Sequence, residues 1–221
     1  MNYPKDFLWG AATSSHQVEG NNTNNDWWQW ELKGNTKNPS GNSTDHFNRY
    51  ELDFQMAANL GHNAHRLSIE WSRIEPREGQ FDPEAIDHYK KVLACLQRKR
   101  ITPIVTLHHF TNPIWFQDIG GWANPKAADY FSRYVKETVT VLGGDIRYWI
   151  TINEPMVYAL YSYVEGLWPP GEKSQRTAFR VVNNMIQGHR RAYEDIHAVY
   201  RHQQWGRPNV GFAKNFRPFL V

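Results

Sequence analysis

The sequence predicts a parallel α/β protein, and within that class a (β/α) barrel rather than an open sheet. Three observations carry this. Short apolar runs alternate with helix-period segments along the 221 residues, the pattern of successive βαβ units. No glycine-rich nucleotide-binding turn follows any of the runs, as an open doubly wound sheet would lead one to expect. Polar residues gather at the strand ends instead: His16 and Gln17, Arg66, His108 and His109, Asn153 and Glu154, and Asn215. Chemistry shared among successive strand ends is the habit of barrels. A barrel has eight strands, and five are predicted here.

The first strand is the apolar, small-residue run Phe7 to Ser14. Gly20 to Ser43, rich in Asn, Gly and Trp, reads as a polar loop. Phe47, Tyr50, Phe54 and Ala57 have helical spacing, which predicts a helix from Asp45 to Leu60 stopped by Gly61. Ala64 to Ile69 is the second strand. Asp82 caps a helix opened by Pro83 and running to about Arg100. Thr102 to His108, rich in Val, Ile and Thr, is the third strand. Asn124 and Pro125 open a helix to about Leu142, and Gly143-Gly144-Asp145 makes a turn. Tyr148 to Asn153 is the fourth strand, about Thr177 to Tyr200 a long helix, and Asn209 to Lys214 the fifth strand.

Composition narrows the class. Forty per cent apolar and 21 per cent charged residues suit a globular protein with one core, and a single domain over 1–221 is expected. The net charge of +3 is spread among acids. Its densest run, Arg98-Lys99-Arg100, is a solvated helix end and no nucleic-acid footprint. One cysteine, Cys95, excludes an internal disulfide. No run approaches a membrane span and the first residues lack the apolar core of a signal peptide, so a cytoplasmic protein is expected. Ten tryptophans are more than a core needs. A single Trp most often fills a core, but its flat face also suits the C–H faces of sugars.

The most informative segment is Tyr148-Trp149-Ile150-Thr151-Ile152-Asn153-Glu154-Pro155. An apolar strand ends in an amide, a carboxylate and a proline, which sets a titratable group at the mouth of a parallel barrel. No second glutamate is predicted at another strand end. His108 and His109 are adjacent on a strand and point apart, so they cannot share a metal. His62 and His65 straddle a turn and have no third ligand nearby. No metal or cofactor is assigned.

Four motifs occur in order. They are Phe7-Leu8-Trp9-Gly10-Ala11-Ala12-Thr13-Ser14-Ser15-His16-Gln17-Val18-Glu19-Gly20, His65-Arg66-Leu67-Ser68-Ile69-Glu70-Trp71-Ser72-Arg73-Ile74, Thr106-Leu107-His108-His109-Phe110 with Gly120-Gly121-Trp122 behind it, and Thr151-Ile152-Asn153-Glu154-Pro155. Together they resemble glycoside hydrolase family 1, the β-glucosidase and β-galactosidase family. The resemblance implies a (β/α)8 TIM barrel, of which this chain would hold about strands 1 to 5. It implies a retaining β-glycosidase with two carboxylates about 5–5.5 Å apart. Glu154 would be the acid/base that protonates the glycosidic oxygen and then activates water. Asn153 would bind the sugar 2-hydroxyl, Gln17 and His109 would bind hydroxyls of the terminal sugar, and Arg66 would orient the nucleophile. Neutral imidazole and carboxamide each offer a donor and an acceptor, as a hydroxyl does. Taken alone, Glu154 is as readily a strand-end carboxylate paired with Arg66, Asn153 a turn-capping amide, and His109 a satisfied buried histidine.

The family's nucleophile motif, Thr-Glu-Asn-Gly, does not occur in the sequence. Glu165, Glu172 and Glu194 follow the fourth strand without a motif and are not assigned its role. His16, Phe110 and Thr111-Asn112 depart from the family pattern and would alter the shape of the subsites. The apolar end, Phe216 to Val221, reads as chain cut past a barrel strand. A cut barrel exposes two sheet edges and is expected to associate with itself or with a complementary C-terminal half. Two other readings compete: a catalytically inactive carbohydrate-binding half-barrel, and a Schiff-base aldolase using Lys214.

Overall fold

The computed structural model describes residues 3–216. Five parallel strands lie in the order β1-β2-β3-β4-β5: β1 Gly10–Ala12, β2 Ala64–Ser68, β3 Thr102–His108, β4 Tyr148–Asn153 and β5 Asn209–Ala213. Sequence order equals spatial order, as a barrel winding in one direction requires. The helices between them are α1 Ser15–Val18, α2 Asp26–Leu32, α3 His46–Asn59, α4 Trp71–Ile74, α5 Pro83–Arg98, α6 Ile114–Asp118, α7 Ala127–Leu142, α8 Pro155–Ala159 and α9 Gln175–Gln203. A single π-helical turn, Leu160–Val164, continues α8.

β3 and β4 have the bounds that Val, Ile and Thr richness predicts, and α3, α5, α7 and α9 fall where helical spacing puts them. Asp82 caps α5 as expected, its Oδ1 accepting from the N–H of Glu84 at 2.8 Å and of Ala85 at 3.3 Å. β1 is shorter than predicted, because only Gly10, Ala11 and Ala12 pair with β2. The predicted loop Gly20 to Ser43 contains α2. Its start is capped by Asn25, whose Oδ1 accepts from Trp28 N–H at 2.8 Å; that cap is hidden in a run of asparagines. Of the apolar tail, residues 217–221 lie outside the described residues.

The core lies between the sheet and its helices. Trp71, Trp122 and Trp149 are at most 1 % exposed, so three of the ten tryptophans fill core positions. Each indole N–H has an acceptor: Glu75 Oε2 at 2.8 Å, His108 Nε2 at 3.1 Å and the Tyr200 hydroxyl at 2.8 Å. Satisfied donors let these large rings be buried without penalty. The outer strands are less covered: β1 is exposed throughout and β5 is exposed or half-buried. No helix among the described residues is long and apolar enough to cross a membrane.

Candidate active site

Glu154 stands one residue past β4 and begins α8. Its N–H donates to Ala213 O of β5 at 2.8 Å, and its carbonyl accepts from Val157 and Tyr158 at 3.0 and 3.1 Å. These bonds hold it in the left-handed region, φ 44 and ψ 58. Phe110, just past β3, also has a positive φ of 71. For residues with a Cβ this conformation costs about 1–2 kcal/mol and persists where surrounding structure imposes it. The Glu154 side chain is half-buried.

Beside it runs a chain of hydrogen bonds across three strands. Arg66 of β2 donates from Nε to Thr106 Oγ1 of β3 at 3.0 Å and from Nη2 to Asn153 Oδ1 of β4 at 2.5 Å. Asn153 donates from Nδ2 to His109 Nε2 at 3.2 Å. A break in register makes this reach possible. From Ile150 to Asn153, three steps along β4 stand against two along β5, Gly211 to Ala213. The extra residue turns Asn153 to the face it shares with Arg66, the way bulges re-aim side chains.

The electrostatics follow from burial. Desolvation, reinforced by the Arg66 charge, pushes His109 down to about 3, so its imidazole is neutral. Because Nε2 accepts from Asn153, the proton sits on Nδ1, a buried atom without a partner in the protein. Burial also lowers Arg66, while the charge of Glu154 acts in the opposite direction. Arg66 makes its close bonds to Thr106 and Asn153, so the simple ion pair with Glu154 is not formed. His108 and His109 part as expected: His108 is 1 % exposed and packs on Trp122 and Tyr158.

Four of the five predicted residues thus converge: Arg66 from the middle of β2, and His109, Asn153 and Glu154 from the C-terminal ends of β3 and β4. Gln17, on α1 past β1, is exposed and outside the hydrogen-bond chain, and its Oε1 accepts from Ser14 Oγ at 2.6 Å. Asn153 has both ends of its amide engaged within the protein. One lone pair and one hydrogen remain for a ligand. Lys214 lies exposed beyond β5, which gives an aldolase no desolvated amine. No group of three or more metal-ligating side chains occurs among the described residues.

Two features escaped the sequence reading. One corrects it: a second glutamate does stand near a strand end. Glu70 lies two residues past β2, is 0 % exposed, and accepts from Ser15 Oγ, Ser72 Oγ and Thr111 Oγ1 at 2.7, 2.7 and 3.0 Å. With its oxygens engaged and no exposure, it is a structural tie. The other is an aromatic rim next to His109. Trp168 packs at 4.9 Å centroid distance on Phe110 and Tyr161 and at 5.5 Å on Trp27, and Phe110 lies 5.0 Å from the His109 ring. The only prior signal was the surplus of tryptophan.

Comparison with known proteins bears on the family and the fold. The family model described as "Glycosyl hydrolase family 1" matches residues 1–215. Beta-glucosidase A of Thermotoga maritima is 37 % identical over 199 residues, covering 86 % of this chain and 45 % of the relative. The human cytosolic beta-glucosidase is 32 % identical over 224 residues, covering 93 % and 46 %. Among solved structures, a beta-glycosidase from Pyrococcus horikoshii superposes with a TM-score of 0.88 at 39 % identity, covering 96 % of this chain and 48 % of that one. The Thermotoga maritima beta-glucosidase in complex with castanospermine gives 0.90 at 34 %, covering 99 % and 51 %. The chain spans about half the length of the relatives it matches. Its five-stranded sheet corresponds to the N-terminal part of the (β/α)8 TIM barrel of those enzymes. By sequence and by fold alike, the chain belongs to glycosyl hydrolase family 1.

Proposed function

We propose that this chain carries the acid/base half of a retaining β-glycosidase acting on terminal β-linked sugars. The observation that supports it most is Glu154, a half-buried carboxylate held in a strained conformation at the end of β4, beside Asn153, His109 and Arg66. In this reading Glu154 protonates the glycosidic oxygen as the bond to the leaving group breaks. As carboxylate it then takes a proton from the water that releases the sugar. Asn153 and neutral His109 are groups of the kind that exchange hydrogen bonds with sugar hydroxyls. The aromatic rim gives flat faces for a ring.

The sequence holds no Thr-Glu-Asn-Gly motif, and Glu70 is wholly buried. The nucleophile is therefore proposed to come from a complementary C-terminal half that pairs with β1 and β5, with Arg66 orienting it. A chain that only binds carbohydrate is the competing reading, favoured by that same missing motif. The test compares aryl β-glucosides with poor and with activated leaving groups, using the chain mixed with a C-terminal half. Glu154→Gln should slow the poor leaving group by about 10²-fold or more and the activated one far less. Equal slowing of both would remove Glu154 from the acid role.

A further inference from the structure

A second buried polar chain lies behind the site and joins three segments that line it. Asp26, at the start of α2, is 3 % exposed. Its Oδ1 accepts from Asn112 N–H and Trp27 N–H, each at 2.9 Å, and its Oδ2 accepts from Asn112 Nδ2 at 2.7 Å. Asp26 N–H in turn donates to Asn112 O at 3.0 Å, and Ile114 N–H to Asn24 O at 3.2 Å. The segment bearing Trp27 is thereby strapped to the turn after β3 that bears His109 and Phe110. Asn112, 0 % exposed, then reaches the third segment: Nδ2 donates to the Tyr158 hydroxyl at 3.0 Å. Tyr158 is also 0 % exposed and lies in the first turn of α8, its N–H bonded to the carbonyl of Glu154.

We propose that Asp26 is a positioning residue for the site, clamping through Asn112 and Tyr158 the Trp27 rim, the His109–Phe110 turn and the helix that starts at Glu154. It touches no substrate. A site built from three short segments needs them fixed together. A buried carboxyl group suits the task because its two oxygens accept several N–H bonds at once. The hydroxyl of Tyr158 carries the link onward to α8. The proposal rests on the glycosidase reading for the ligand, while the clamp itself stands on geometry alone.

The test uses the full chain and three variants. Tyr158→Phe removes only the hydroxyl and keeps the ring. Asp26→Ala removes the whole clamp, and Asp26→Asn, which keeps an acceptor for the two N–H groups, serves as the conservative rescue. Amide hydrogen exchange is followed at Trp27, Asn112, Val157 and residue 158. Dissociation constants for an aryl β-glucoside are measured by equilibrium dialysis. Tyr158→Phe should speed exchange at Val157 and residue 158 about tenfold and leave Trp27 and Asn112 unchanged. Asp26→Ala should speed all four, Asp26→Asn should return towards wild type, and β2 and α5 should stay constant throughout. Glucoside binding should weaken about tenfold in the first two variants. Unchanged exchange at 157–158, or an equal rise in β2 and α5, overturns the clamp. So does full binding affinity in both variants. If Asp26→Ala does not fold, Tyr158→Phe decides. If the wild-type chain binds no glucoside, the glycosidase reading fails while the exchange pattern still decides the clamp.

Discussion

At Glu154 the backbone pays about 1–2 kcal/mol to hold a glutamate at positive φ, and the bonds to Ala213, Val157 and Tyr158 hold it there. Glu154→Gly should therefore relieve strain and preserve or raise thermal stability, while abolishing turnover in any active preparation. A loss of stability would show that the carboxylate itself ties the fold together. Other carboxylates are structural, and their titration is a stability effect. Burial pushes Glu19 and Asp26 up to about 7 from ordinary values near 4.5 and 3.8. Below about pH 4 both the folded and the unfolded chain hold these protons, and no penalty arises. Between about 4 and 7 the unfolded chain releases them and the folded chain does not, so stability falls as pH rises, by an amount on the order of a few kcal/mol. Thermal melting should occur at higher temperature at pH 5 than at pH 8. Glu19→Gln and Asp26→Asn should each flatten that slope, and an unchanged slope in both would contradict the assignment. Arg66, His109, Asn153 and Glu154 were legible in the sequence because strand ends gather chemistry and the motifs fix their order. Asp26, Glu70 and Asn112 were not, since the partners that tie them across the fold lie 41 to 86 residues away and no local pattern marks a long-range buried bond.

Among the elements, those with their own punctuation are legible in the sequence. Asp82 and Pro83 announce α5, and Asp82→Ala should cost about 1 kcal/mol in denaturant unfolding; no change would mean that water replaces the cap. β3 and β4 were legible from β-branched runs bounded by turns. The register break in β4 was not, because a bulge depends on its neighbour and Gly211 lies 61 positions from Ile150. α1, α4, α6 and α8 are single turns of four or five residues, too short for helical spacing to appear. β1 was over-extended because apolar residues on a half-covered strand look like a longer one. Its Gly10 has a structural reason: a Cβ there would sit 2.0 Å from Ala64 O in β2. Backbone on both sides cannot yield as a side chain can, so Gly10→Ala should destabilise by about 1–3 kcal/mol and loosen the β1–β2 pairing. A stable variant with protected β1 amides would contradict this.

For the whole molecule, the winding of five strands in sequence order was legible from the alternation of runs, while the extent of the open surface was not. The chain exposes 12294 Å², against about 10,500 Å² for a folded monomer of its mass. Among the described residues, β1 and β5 each pair on one side only. Tyr3, Phe7 and Trp9 pack together beside β1, each 40–51 % exposed. Phe212 of β5 is 49 % exposed. Unpaired edges with apolar flanks seek partners. Sedimentation of the chain alone should give a mass that rises with concentration, and a sharp monomer at all concentrations would contradict the open-edge account. The most direct measurement of the central claim is turnover of an aryl β-glucoside by the chain alone and by the chain mixed with a family C-terminal half. Hydrolysis in the mixture only, lost when Glu154 is replaced by Gln with a poor leaving group, is the expected result. Full hydrolysis by the chain alone, or none in a mixture that demonstrably assembles, would contradict it.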